Sequence, residues 1–561
     1  MANRRSLAAV LVVVAVVAGC AGIPTSGDVV EGDAVPEQLP VVVGFEPNSP
    51  APGATETEIV QGFLEAMASY EPGYTTAEEF LTPDAQAKWE PAAAMTIYSA
   101  NPTVDEIGKG SVRLTLTVEA VISSEAGYQR RDPATTTEFD LKLTQVDGEW
   151  RLANPPPGVL VFEGDFESEF REYNVYFFDG ESEVLVPDPV WVPTQGNVPF
   201  LLAQALVGGP SAWLAPAVQS AFPTGTTVPL PVRVDAGRAL VELSAEAAEG
   251  TSEEQNEQMT AQLAWTLGQV DGVKEVVVRA EGFPLTDDAV TADSFGEFDP
   301  NRRPGEDLYA ITDAGVVMGQ RLTPVAGALG ELPRLQAVAV DPQSVRAAVV
   351  DATGTQLLWA PLDGSAEAAP LLTGGDFGPV SWDRTGLVWV VDRAGNPTGD
   401  GSKIMVVEPG SDGTAVLTPD ALTGRTIEDL AVSPDGSRIA LAVDGEVFVG
   451  SVVRTPDQGS ANIEGLRRVQ LGERTATRVD WSGLTELALL IHEPGQAPEP
   501  FRVGLGGSNL SPAGPVQDAV DLAASPSQAL AASTDEGVLK QQSATLRWVD
   551  IGSARAPAYP G

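Results

Sequence analysis

Hydrophobic positions change period several times along the chain, and each change marks an element. Leu7 to Val17 is unbroken Leu, Ala and Val behind Arg4 and Arg5. That run is shorter than the ~20 residues of a membrane span and has the form of the apolar core of a secretory leader, 1–19. From 20 to 45, Gly, Pro, Ser and acids remove every period, so this stretch reads as a tether that could extend ~80 Å. Helical spacing then appears at Ile59, Phe63, Met67 and at Val60, Leu64. A second helix is expected in "YTTAEEFL", capped by Thr75 or Thr76, and a short third one from Pro83 towards Trp89. Strict alternation follows, with Val112, Leu114, Leu116 and Val118 set against Arg113, Thr115, Thr117 and Glu119. Phe139, Leu141 and Leu143 lead into an Asp147-Gly148 turn and back through Trp150 and Leu152, a hairpin. Helices first and antiparallel strands after predict an α+β domain over 46–165. Trp150 and Phe139 read as core packing.

A second α+β region spans 170–290. "EYNVYFFDGESEVLVPDPVWVP" is strand, Gly180 turn, strand. A helix through Leu201, Leu202, Ala205 and Leu206 is stopped by Gly208-Gly209-Pro210. "VRVDAGRALVELS" is a hairpin around Asp235-Ala-Gly237, and a long helix with Met259, Leu263 and Leu267 on one face precedes the strand 273–278. The polar stretch 286–306 reads as a connection, the linker proper covering 291–306.

From 307 to 561 one unit repeats. Each copy is an apolar alternating strand, a polar turn, a second such strand and another turn. With Pro342, Asp383, Pro434, Ser482 and Pro526 as equivalent positions, the intervals are 41, 51, 48 and 44 residues, the period of a four-stranded propeller blade. Ser433-Pro434-Asp435-Gly436 is the best-formed turn, with type I chemistry. Five copies are visible, and "DLYAITDAGVVMGQRL" with "ATLRWVDIG" would close a ring, giving an all-β propeller of five or six blades. A β-sandwich of equal strand number explains the recurring turn less well. Trp359, Trp382, Trp389, Trp481 and Trp548 recur near strand ends and read as packing between blades.

Charge narrows the chemistry. The 33 basic and 78 acidic residues leave −45, which argues against nucleic acid as a partner. One His and one Cys exclude His/Cys metal sites and Cys–His dyads. His492, after the strand "LLIHEPG", reads as a surface or satisfied residue. "DSFGEFD" fails the spacing of a calcium loop, and Gly208-Gly209 lacks the lysine of a phosphate loop. No motif selects a catalytic pair among the acids. No catalytic, metal or cofactor residues are therefore expected.

The lone Cys20 closes the leader. Val17-Ala18-Gly19-Cys20 resembles a bacterial lipobox, which implies lipidation of Cys20, cleavage before it and an anchor at the extracytoplasmic face of the cell membrane. "VDGEWRLANPP" resembles the closing hairpin of NTF2-like cone-shaped domains. "ALVGGPS", "FPTGT", "VDAGRALVELS" and "QLAWTLGQVDGVKEVVVRAEGFPL", in that order, resemble a GerMN domain. The series of parts, beginning with "CAGIPTSG", resembles the LpqB family of actinobacterial lipoproteins over essentially the whole chain. That resemblance implies an accessory role: contact with the outer domain of the MtrB sensor histidine kinase, modulation of signalling to the MtrA regulator, and effects on cell-wall homeostasis and division. A cell-wall glycan or peptide binder is the alternative, and an envelope hydrolase using propeller carboxylates a third.

Overall fold

The computed structural model describes residues 47–68, 72–123, 127–286, 288–300, 305–394, 401–411, 413–455, 460–493 and 495–561. The leader, Cys20 and the tether lie outside them. Residues 47–561 form one compact unit in which three domains follow each other.

The first domain begins with helix α1 (Glu56–Ala68), followed by the short helices α2 (Thr75–Glu78) and α3 (Pro83–Gln86). α1 buries Ile59, Val60, Phe63, Leu64 and Met67 on the face its spacing predicts. Thr82, not a residue before α2, supplies a side-chain cap, accepting from the Ala85 N–H. α2 starts after Tyr74 in a left-handed conformation without a side-chain cap. Five strands follow in chain order: β1 (Ala94–Gly108), β2 (Ser111–Ser123), β3 (Gly127–Val146), β4 (Glu149–Leu152) and β5 (Val159–Phe162). They pair in the order β4-β3-β2-β1-β5, with only β1 and β5 parallel. β2 buries every second residue from Val112 to Ala120, as the alternation requires. Trp150 and Phe139 are part-buried at the margin of this core. Helix α4 (Glu163–Glu169) still belongs to it through buried Phe166.

The second domain pairs β6 (Phe170–Asp179) with β7 (Leu185–Pro193) and, after α5 (Val198–Val207), with the short β8 (Val218–Gln219). α5 is capped by Asn197 and ends at Gly208. A second sheet comprises β9 (Arg233–Asp235), β10 (Arg238–Leu243), β11 (Glu275–Ala280) and β12 (Phe283–Pro284), in the order β12-β11-β10-β9. Its central pair is parallel, so a crossover is needed, and α6 (Glu253–Leu267) provides it. Ser252 caps α6 at 3.1 Å, and Glu253 and Glu254 favour its positive end. Met259, Leu263 and Leu267 are fully buried. The segment expected to be a linker is in part core. Ala292–Phe298 forms a helical turn, Phe295 is buried among the α6 residues, and Phe298 meets Phe178 edge-on at 5.0 Å. Two apolar side chains three residues apart, hidden among acids, anchor it.

The third domain is a ring of six four-stranded blades. The strands Leu335–Val340, Phe377–Trp382, Ile427–Val432, Thr475–Trp481 and Ala519–Ser525 are the innermost of blades 2 to 6. Blade 1 takes its innermost strand from Arg555–Ala558, which pairs with Tyr309–Ile311. The ring is thus closed by a strand just beyond "ATLRWVDIG", and Trp548–Ser553, which begins inside that segment, is instead the outermost strand of blade 6. Pairing of the domain's first and last strands in one blade removes the open edge. Trp382, Trp389 and Trp481 are fully buried, whereas Trp359 and Trp548 are part-exposed on outer strands.

Candidate functional site

Side chains lace the inner strands of neighbouring blades together. Gln336 donates to the Phe377 carbonyl at 2.9 Å, Ser381 accepts from the Val432 N–H at 3.2 Å, Asp429 from that of Val479 at 3.0 Å, and Asp480 from that of Ala524 at 2.7 Å. Arg555 reaches the Leu335 carbonyl at 3.4 Å. The five innermost strands of blades 2 to 6 each slip register near their start. Such bulges re-aim side chains. The ring encloses a cavity of about 200 Å³ whose wall includes Gln336, Trp382, Arg393, Asp429, Arg478 and Asp521. Arg478 pairs with Asp521 at 2.9 Å. Burial pushes the Asp429 carboxyl up to about 7, against the pull of Arg478.

A second concentration of charge fixes the domains to one another. Arg438, fully buried, pairs with Asp435 of the Ser433–Gly436 turn and stacks on Trp481 at 4.8 Å. Its other terminal nitrogen donates to the Pro187 carbonyl of β7 at 3.2 Å. Arg384 of blade 3 meets Glu183 at 2.9 Å and Asp179 at 3.6 Å. Arg467 lies 4.1 Å from the Trp213 ring, and burial lowers its pKa to about 10. Trp213, Leu214 and Val186 of the second domain share a core cluster with Val447, Val449 and Leu487 of the ring. Asp188, buried nearby, accepts from the N–H and hydroxyl of Ser211, and burial raises its pKa. The first domain joins through the Arg130 N–H, 3.0 Å from the Gly506 carbonyl, and through Tyr128 and Phe166 on Trp191 at 5.6 and 4.8 Å. Gly506 has to be glycine, because a Cβ there would stand 1.8 Å from the Tyr128 carbonyl oxygen. Glu172 sits at this junction, hydrogen-bonded by Ser508 at 3.4 Å, and burial raises it to about 7.

His492 ends the second strand of blade 5 and shares a 2.9 Å hydrogen bond with Thr477. Burial first, and Arg478 second, lower its pKa. It is a satisfied residue, as the sequence suggested. Among the described residues no group of three or more His, Cys, Asp or Glu could hold a metal ion, and no helix is long and apolar enough to cross a membrane. The sequence singled out Trp382, Trp481 and the Asp435 turn for packing and turn chemistry, but not Arg438, Arg467, Asp429 or Arg393. A signal existed in the arginine placed just after the Ser-Pro-Asp-Gly turn, but nothing local shows that it is covered.

Three family descriptions match the chain in the order of its domains. They are "Lipoprotein LpqB, N-terminal domain" over residues 49–167, "Sporulation and spore germination" over 174–286, and "Lipoprotein LpqB beta-propeller domain" over 312–560. The second domain is GerMN-like and the third a β-propeller. Lipoprotein LpqB of Thermobifida fusca is 30% identical, covering 100% of this chain and 99% of its own. Its counterpart in Streptomyces coelicolor is 30% identical, covering 98% of this chain and 96% of its own. The solved first GerMN domain of the sporulation protein GerM from Bacillus subtilis aligns at 23% identity over 20% of this chain and 85% of that chain, with a TM-score of 0.17.

Proposed function

The chain belongs to the LpqB lipoprotein family, and from that membership we propose that it is a lipid-anchored, extracytoplasmic accessory regulator of an envelope-sensing two-component system, contacting the outer domain of the MtrB sensor kinase and modulating signalling to MtrA. The observation that supports this reading is the extent of the similarity: it covers the entire chain, Cys20 included, in relatives named as lipoproteins. Cys20 is the anchor in this reading, since two or three acyl chains hold a protein where one does not. The reading is also non-catalytic. Its support is that the single histidine bonds a threonine and that the charged groups described above lace strands or join domains. A protein that acts by contact benefits from presenting three domains in one fixed arrangement, and the buried arginine junction provides that.

Photo-crosslinking in membranes between this protein and the kinase's outer domain tests the partner. A crosslinked pair is expected, with kinase output altered on deletion; no pair and unchanged output would sink the reading. Cys20→Ser should release the folded protein from the membrane or block its processing. Normal processing and retention of that variant would contradict the anchor.

A further inference from the structure

The propeller cavity holds two opposite charges that do not neutralise each other. The oxygens of Asp429 accept from the Leu430 and Val479 N–H groups, both at 3.0 Å. Among the described residues Asp429 forms no ion pair. Arg393 lies flat over Gly378, where a Cβ would come within 2.7 Å of its Cζ. It donates to the Glu428 carbonyl at 3.2 Å and likewise forms no ion pair among the described residues. Both groups line the same cavity and both flank the Glu428–Asp429 peptide, yet they do not pair. A third group is unmet as well. Trp382, fully buried in the wall, has an indole N–H with no partner. Trp481, at the same place in blade 5, donates to the Ala431 carbonyl at 3.1 Å.

A carboxylate removed from water is costly, and the raised pKa of Asp429 agrees with a cost that the nearby Arg478 charge, already paired with Asp521, offsets only in part. Backbone N–H groups meet both oxygens of Asp429 and Arg478 offsets part of its charge, whereas Arg393 gives one nitrogen to the Glu428 carbonyl and its charge meets no carboxylate among the described residues. In a chain with 78 acids, an arginine without a carboxylate is an available anion receptor. A cavity of about 200 Å³ has the volume of about six or seven waters in the liquid, which suits a solute of a few heavy atoms.

We propose that the propeller channel binds a small α-amino acid as its zwitterion, the ammonium on Asp429 and the carboxylate on Arg393. The ligand links the two charges that the fold keeps apart. This site is independent of the kinase reading, because it is measured on the protein alone.

Calorimetric titration of the full chain in detergent with L-alanine tests it, with propionate and ethylamine as half-ligands at equal ionic strength. L-Alanine is expected to bind, and each half-ligand about tenfold more weakly or worse, since each loses one charged contact. Arg393→Gln, at an exposed side chain with a single inter-blade hydrogen bond, should lose about tenfold in affinity, and Asp429→Asn should do the same. Should Asp429→Asn fail to fold, Arg393→Gln decides alone. Absence of L-alanine binding at millimolar concentration, equal binding of a half-ligand, or unchanged affinity in Arg393→Gln would each overturn the assignment.

Discussion

Blade 2 and blade 4 begin their second strands with the same side chain, and only one of the two arginines meets another domain. Arg346 pairs with Asp341 of its turn at 3.0 Å and lies 5.1 Å from the Trp382 ring at the end of the next inner strand. Arg438 pairs with Asp435 and lies 4.8 Å from the Trp481 ring. In both blades the carboxylate also accepts turn N–H groups, so the repeat builds one device twice: an acid in the turn, an arginine on it and a tryptophan from the next blade beneath. The Arg346 side chain is 33% exposed and that of Arg438 is 0% exposed. Blade 4 is covered by Pro187, Val186 and Trp213 of the second domain. A blade-to-blade fastener has thus become a domain-to-domain one, with no change in its own residues.

The largest effect should separate the two arginines. Arg438→Ala leaves Asp435 buried without its partner and should cost about 3–5 kcal/mol. Arg346→Ala also strands a buried carboxylate, Asp341, but one that keeps its turn N–H bonds and gains water where the part-exposed guanidinium stood, and should cost about 1–2 kcal/mol. Urea denaturation of both variants measures the gap, and equal losses would mean that the cover adds nothing. Two glycines make a smaller contrast. Gly465 has φ +58°, and a Cβ there would stand 2.5 Å from the Trp213 carbonyl oxygen, whereas Gly537 has φ +77° and open space. Gly537→Ala should cost about 1 kcal/mol from backbone strain alone, and Gly465→Ala about 1–3 kcal/mol more, because a docked backbone must move.

The smallest contrast is with pH. Glu172 at the junction and Asp429 in the channel both titrate near 7 because burial disfavours their charged forms. Ser508 and Glu486 act on the first, Arg478 and Asp480 on the second. A raised carboxyl means that the folded state keeps a proton the unfolded chain releases. Their contribution is therefore most favourable below the ordinary carboxylate range and is lost as pH rises to about 7. Stability of Glu172→Gln between pH 4.5 and 7 should fall less than that of the parent, and parallel curves would contradict it.

Much of the architecture was legible because its signals are local. The alternation in Val112–Ala120, the Met259, Leu263, Leu267 face and the recurring turns each specify themselves within a few residues. What was missed depends on distant partners. Arg555–Ala558 is four residues with a proline, and it is a strand only because Tyr309–Ile311 lies beside it. β1 carries Asn101-Pro102 and shows no clean alternation. Phe295 and Phe298 are outnumbered by acids, so their burial was hidden. Arg438 reads as an ordinary basic residue at a strand start until the second domain covers it. Asp429 was indistinguishable among 78 acids, since the cavity that isolates it is assembled from all six blades.

Scanning calorimetry of the full chain, with and without Arg438→Ala, most directly asks whether the domains form one body. One transition is expected for the parent protein, with the variant splitting it into a propeller transition and an earlier one for the first two domains. Separate transitions already in the parent, unaltered by Arg438→Ala, would contradict a body held together through blade 4.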